Sequence, residues 1–183
     1  YTSYKGSITF NGISLRDIER DHLHETIERN VSSEGIFDGT LLENITMNRS
    51  NVSIEDVYWV LEKLNLLTPI SELKDGLNTQ MISGGRRFST SFITKITLAR
   101  CIVNKPKLLM ISSCYEHFDT QYMENFLSFI TNRTEPWTLL TVSNDPTVMK
   151  ACDKVIILDE GRIVAEGTYE ALAGNPFLSK CTK

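Results

Sequence analysis

The sequence predicts an α/β domain, and three observations carry that prediction. Short apolar runs at 108–111, 139–142 and 155–158 have the length and composition of buried strands. Between and before them lie segments whose apolar residues recur three and four positions apart, as on one face of a helix. The two kinds of segment alternate along the chain. Alternation of that kind builds a largely parallel sheet with helices on both faces.

The elements follow in order. Residues 7–10 alternate into Asn11-Gly12 and then Ile13 and Leu15, which predicts a hairpin. Residues 21–28 are polar and short, a helix or turn. The clearest helix spans 51–66: Ser53 and Asp56 form a capping box, and Ile54, Val57, Leu61 and Leu64 share a face. Phe88, Phe92, Ile96 and Ala99 mark a second helix, and Phe118, Tyr122, Phe126 and Ile130 a third. The run 108–111 reads as a central strand. A last hairpin turns at Glu160-Gly161 into 162–165.

Composition excludes several classes. At 183 residues the chain suits one domain with one core, and no repeat or linker divides it. A net charge of -4 argues against a nucleic-acid surface, which normally carries a basic excess. No segment has the length and apolarity of a membrane span. Cys101, Cys114, Cys152 and Cys181 form no CxxC pair, and His22, His24 and His117 show no ligand spacing, so no metal site is expected.

Four segments together carry a family resemblance. Residues 1–15 read YTSYKGSITFNGISL, and Phe37-Asp38-Gly39-Thr40-Leu41-Leu42-Glu43-Asn44-Ile45 resembles L-F-x-G-T-I-x-E-N-I. Residues 79–85 read TQMISGG, and 155–172 read VIILDEGRIVAEGTYEAL. In this order and spacing they resemble the nucleotide-binding domain of an ABC transporter of the exporter type. The resemblance covers the whole chain. It implies a P-loop NTPase-like ABC ATPase domain over 1–183, with a helical subdomain over about 40–103. It also implies an N-terminally truncated domain, since no GxxxxGK[ST] loop opens at any of the ten glycines. The family's own start would lie upstream, on a longer polypeptide.

The chemistry-bearing positions depart from the family pattern. The Q-loop glutamine falls on Ser32. The signature LSGGQ falls on Phe88-Ser89-Thr90-Ser91-Phe92, where only Ser89 matches and Thr90 and Ser91 replace the glycines. The Walker B aspartate falls on Ser112 and the catalytic glutamate on Ser113; a hydroxyl is a weak metal ligand and a poor base. The D-loop aspartate is kept as Asp119. The switch histidine falls on Asn144, which can hydrogen-bond a phosphate but cannot carry a proton charge.

The resemblance therefore implies nucleotide-binding positions at Ser32, Ser89, Thr90, Ser91, Ser112 and Asp119. The catalytic positions are occupied by Ser113 and Asn144, and no residue is a metal ligand. It implies an exporter domain that dimerises and couples to a transmembrane domain at the cytoplasmic face of the membrane without hydrolysing ATP. The expected partners are that transmembrane domain and a second nucleotide-binding domain, identical or not. ATP and Mg²⁺ belong to the full-length protein, with neither held tightly by this chain. Two alternatives stay open: an active exporter ATPase with its P-loop upstream, and a non-transport scaffold that reuses the fold. Asn44 and residues 79–85 favour a transporter, because they match the family's coupling surface.

Overall fold

The computed structural model of the chain describes residues 5–30, 35–112 and 114–181. Asn11 and Gly12 take positive φ of 50° and 80°, which suits a tight primed turn. They join β1 (Thr9–Phe10) to β2 (Ile13–Ser14), with Phe10 opposite Ile13. The polar stretch after it is the helix α1 (Arg20–Thr26), which runs directly into β3 (Ile27–Asn30). That strand was not expected from IERN, because its polar residues find partners far along the chain. The Glu28 carboxylate meets Arg49 at 2.6 Å, and Asn30 donates to the Thr97 hydroxyl at 3.1 Å.

Next come β4 (Gly39–Thr40), α2 (Leu41–Thr46), α3 (Ile54–Lys63), α4 (Leu67–Ser71) and β5 (Gln80–Met81), with β4 and β5 paired antiparallel. Both longer helices here start on reciprocal caps. Thr40 accepts from the Glu43 amide while Glu43 reaches back to Thr40, and Ser53 does the same with Asp56. Gly39 is required beside that cap, since a Cβ there would sit 2.9 Å from the Glu43 carboxylate and 3.3 Å from the Phe37 ring. Val57, Leu61 and Leu64 are buried as the periodicity requires. Ile54 is not: it opens the first turn of α3 and stays exposed.

The helix α5 (Thr90–Ile102) leads to β6 (Leu108–Ser112), then α6 (Thr120–Ile130) and β7 (Thr138–Val142). Phe88 and Phe118 precede the helices they were expected to open, because Ser89 and Asp119 are the N-caps. Each is held to its helix by aromatic contact, Phe88 stacked on Phe92 and Phe118 edge-on to Tyr122. The order β3-β6-β7 is fully parallel, with β6 central as expected. Then α7 (Pro146–Ala151) crosses to β8 (Val155–Asp159), which turns back as β9 (Arg162–Gly167) before α8 (Tyr169–Leu172) and α9 (Pro176–Cys181).

The main core runs from Leu41, Leu61 and Ile96 through Leu109 to Phe126 and Trp137, so α2–α6 and the parallel strands share one apolar interior. A smaller core of Met149, Val155, Ile157, Leu172 and Leu178 lies under the terminal hairpin. The expectation of a sheet covered on both faces is corrected at one place. Leu140, Val142, Ile156 and Leu158 are 50, 70, 50 and 66% exposed, and among the described residues no strand joins β7 to β8.

Candidate functional site

In an open parallel sheet the C-terminal strand ends are where chemistry is assembled. Here those ends carry hydroxyls and an amide. Ser112 closes β6 opposite Val142, half-buried, and its hydroxyl donates to the Asn30 carbonyl at 3.4 Å. Asn144 lies two residues past β7, exposed, where Ser143 accepts from the Asp145 amide at 3.0 Å and shapes the turn. Tyr115 lies beneath, its hydroxyl 2.6 Å from that of Thr141. Burial pushes the Tyr115 phenol upward, and the Cys114 thiol is pushed up to about 12 for the same reason, so neither supplies an anion near neutral pH.

Asp119 is the one family carboxylate retained, and it is committed to the fold. Its Oδ1 accepts from the Tyr122 amide at 2.8 Å, capping α6. Lys95 sits 3.6 Å from the centre of the Tyr122 ring; desolvation lowers its pKa, against the pull of Asp119. Among the described residues no group of three or more His, Cys, Asp or Glu can hold a metal ion. The donors at the end of β6 do not fit Mg²⁺, which is bound through carboxylate oxygens.

The second cluster sits at the start of α5. Ser89 accepts from the Phe92 amide at 3.2 Å, leaving the exposed Thr90 and half-buried Ser91 in the first turn with unsatisfied backbone N–H groups. That geometry can receive an anion, and both hydroxyls can donate. The two clusters do not meet. Cys101 lies against the Arg29 carbonyl and Thr97 against Asn30, so α5 runs antiparallel to β3 and passes the sheet end near Thr97. Thr90 is therefore about 10 Å further out along the axis, at 1.5 Å per residue. Ser32 and Ser113 lie outside the described residues.

Asn44 departs from its expected place. It is fully buried, not part of a coupling surface. Its amide donates to the Phe37 and Thr40 carbonyls at 3.0 Å each, and its oxygen accepts from the Phe37 amide at 3.1 Å. Arg100 completes the lock. Nε donates to the Asn44 carbonyl at 2.8 Å, Nη2 to its side-chain oxygen at 3.1 Å, and Nη1 to the Gly35 carbonyl at 3.2 Å. The loop that follows residues 31–34 is thus tied to the helix that begins at Ser89. Sequence reasoning gave Arg100 no role in the site. Its signal was an arginine inside the otherwise uncharged buried run 96–102, where a charge needs dedicated partners.

Comparison with known proteins agrees with the architecture. No family model matches the chain. It is 28% identical over 168 residues to an uncharacterised ABC transporter ATP-binding protein of Haemophilus influenzae, covering 92% of this chain and 30% of that protein. It is 28% identical over 180 residues to the microcin-J25 export ATP-binding/permease protein of Escherichia coli, covering 98% and 31%. The ATP-dependent lipid A-core flippase of Francisella tularensis is 24% identical over 173 residues, covering 94% and 28%. The chain thus spans about 30% of the length of these curated relatives. A bacterial Atm1-family ABC exporter solved with ATP bound superposes with a TM-score of 0.88 at 19% identity, over 97% of this chain and 32% of that one. The fold is that of the nucleotide-binding domain of an ABC exporter.

Proposed function

We propose that this chain is the ATP-binding domain of an ABC exporter in which nucleotide acts as a clamp and is not hydrolysed. The observation that carries this is the end of β6. Within an exporter-type fold, a serine hydroxyl bonded to the Asn30 carbonyl stands where a metal-holding carboxylate is needed. Ser113 and Asn144 take the places of the general base and the phosphate sensor. Loss of a base alone costs about 10²–10⁴ in rate.

The domain spans 1–183, with its helical subdomain over about 40–103. Ser89, Thr90 and Ser91 of one domain face Ser32, Ser112, Asp119 and Asn144 of a second, identical or related domain. The separation of the two clusters within one chain supports such a composite site. The domain couples to a transmembrane domain at the cytoplasmic face of the membrane. Lipid A-core flipping and microcin-J25 export are the kinds of work named for two of the curated relatives.

The test is calorimetric titration of MgATP into the full-length protein, with phosphate release followed in the same sample. Saturable binding without turnover is expected. Turnover at roughly 1–10³ s⁻¹, the range typical of enzymes, would overturn the non-hydrolytic assignment. Absence of binding would overturn the nucleotide assignment itself.

A further inference from the structure

We propose that Ser89 is a phosphoacceptor: a serine/threonine protein kinase directed by basic residues phosphorylates it, and the phosphate opposes nucleotide clamping. The sequence carries Arg86-Arg87-Phe88-Ser89, and this is the one place in the chain where two basic residues are adjacent. From residue 76 to residue 115 there are six basic residues and no acidic one, although the net charge of the chain is -4. The pair therefore has no counter-charge nearby in sequence.

Three of those six are committed to the fold: Arg100 to Asn44, Lys105 to Asp56, and Lys95 to the face of Tyr122. Arg86 and Arg87 are exposed and have no ion-pair or hydrogen-bond partner among the described residues. They sit on a turn packed tightly against α5. Gly84 and Gly85 take positive φ of 69° and 74°, and a Cβ on Gly85 would stand 2.3 Å from Ile93. The Phe88 amide closes the turn on the Gly85 carbonyl at 2.9 Å. Close packing on the inner side leaves both arginines to solvent, three and two residues before Ser89.

Ser89 suits an acceptor better than the hydroxyls that follow it. It is exposed, with extended backbone at φ -65° and ψ 153°, and α5 begins only after it. Its hydroxyl oxygen accepts from the Phe92 amide at 3.2 Å and keeps its own proton to give up. Thr90 and Ser91 lie inside the first turn, so a kinase reaches them only by unwinding the helix. A cleft that reads extended peptide takes residues 86–89 once the turn at Gly85 opens, and an arginine pair selects an acidic cleft. In the transfer the bond from Ser89 Oγ to the γ-phosphorus of ATP forms and the bond from that phosphorus to the ADP oxygen breaks. ADP leaves, and the hydroxyl proton passes to the base of the kinase.

The product is favoured where it forms. A phosphoserine carries about -1.5 to -2 charge, and a helix N-terminus and neighbouring arginines both stabilise it. The regulatory consequence rests on the composite site proposed above: there Ser89 faces nucleotide phosphates held by a second domain, and like charges repel. Modification of Ser89 itself does not depend on that reading.

The experiment uses the full-length protein and, beside it, a synthetic peptide of residues 82–93. Both are incubated with a purified kinase selective for two arginines before its acceptor, and with ATP labelled in the γ-phosphate. Mass spectrometry locates the label. Phosphate on Ser89 is expected in both samples. Arg86→Ala combined with Arg87→Ala should keep the Tm and slow the transfer by about tenfold or more. Kinase and ATP are then removed and MgATP is titrated into both forms of the protein; the phosphorylated form should bind about tenfold more weakly or worse. A peptide modified while the folded protein is not, or label away from Ser89, overturns the acceptor. An undiminished rate in the double variant overturns the role of the arginines. Equal MgATP affinity of the two forms overturns the opposition to clamping. Phosphate on Ser89 with no MgATP binding by either form overturns the nucleotide assignment above and leaves the acceptor standing.

Discussion

The helical half of the molecule and the β7–β8 seam are built from the same residue types and finished differently. Where α2 meets α5, around Asn44 and Arg100, the buried polar groups are answered inside the chain. Asn44 satisfies both backbone groups of Phe37, Arg100 is held by two carbonyls and the Asn44 oxygen, and Leu41, Leu61 and Ile96 are closed over. At the seam, leucines and valines of ordinary core character stand half or more exposed, and two strand edges lack strand partners among the described residues. Composition alone therefore does not say where stability resides. Satisfaction of the backbone and of buried polar atoms does.

The largest expected effect lies in the closed half. Asn44→Ala removes four hydrogen bonds, one of them from a guanidinium, and leaves the Phe37 groups without partners. A loss of about 3–5 kcal/mol is expected, since bonds to charged groups are worth more and orphaned buried groups carry their full desolvation penalty. Urea unfolding of the variant measures it. A loss below about 1 kcal/mol would mean that the network is replaceable by water and that the loop at Gly35–Phe37 is not locked to α5.

A matched pair of leucine truncations compares the two regions directly. Leu61→Ala, at 1% exposure, opens a cavity and is expected to cost about 2–5 kcal/mol. Leu140→Ala, half exposed, is expected to cost less than about 0.5 kcal/mol in the chain alone. Equal costs in thermal unfolding would erase the contrast drawn here.

Much of this was legible in the sequence, and the illegible parts share a cause. The capping box at Ser53 and Asp56, the Asn11-Gly12 turn and the central run at 108–111 are local signals, and all three formed as read. β3 was hidden because Glu28 and Asn30 look like loop residues until Arg49 and Thr97 are brought to them. Asn44 was placed on a surface because its segment matches the family's coupling surface; only the returning Arg100 shows why it is buried. The serines at 112 and 113 were visible as departures from a pattern, but the Ser112 contact to Asn30 depends on strand register. An apolar run reads the same whether or not its edge is paired, so the exposure of Leu140, Val142, Ile156 and Leu158 was not legible in the runs themselves.

Alkaline titration gives a smaller effect, and it belongs to the junction of the two regions. Cys114, Tyr115 and Tyr122 are all raised, first of all by burial, the thiol to about 12 from an ordinary value near 9.0. A raised folded pKa means stability that is whole below the unfolded value and falls as pH climbs toward the folded one. Stability should therefore decline from about pH 9 onward, at roughly 1.4 kcal/mol per pH unit for each group ionised only when unfolded. Cys114→Ala should delay the onset toward the tyrosine range, as unfolding curves at successive pH values would record. An unchanged onset would place the thiol in contact with solvent.

The smallest effect is at the surface of the closed half. Lys105 holds the Asp56 carboxyl at about 2, first through its hydrogen bond at 2.5 Å, with the Ser53 hydroxyl adding to it. A depressed carboxylate contributes stability above its unfolded value near 3.8 and loses it as pH falls toward 2. The pair is largely solvated, so screening reduces its worth to about 0.2–1 kcal/mol. Asp56→Asn should cost that much at pH 7, and the two proteins should converge in stability between pH 4 and about pH 2. Convergence would show that charge, not the cap's shape, supplies the difference. A gap that persists at pH 2 would assign it to the capping geometry of α3, which an amide reproduces less well than a carboxylate.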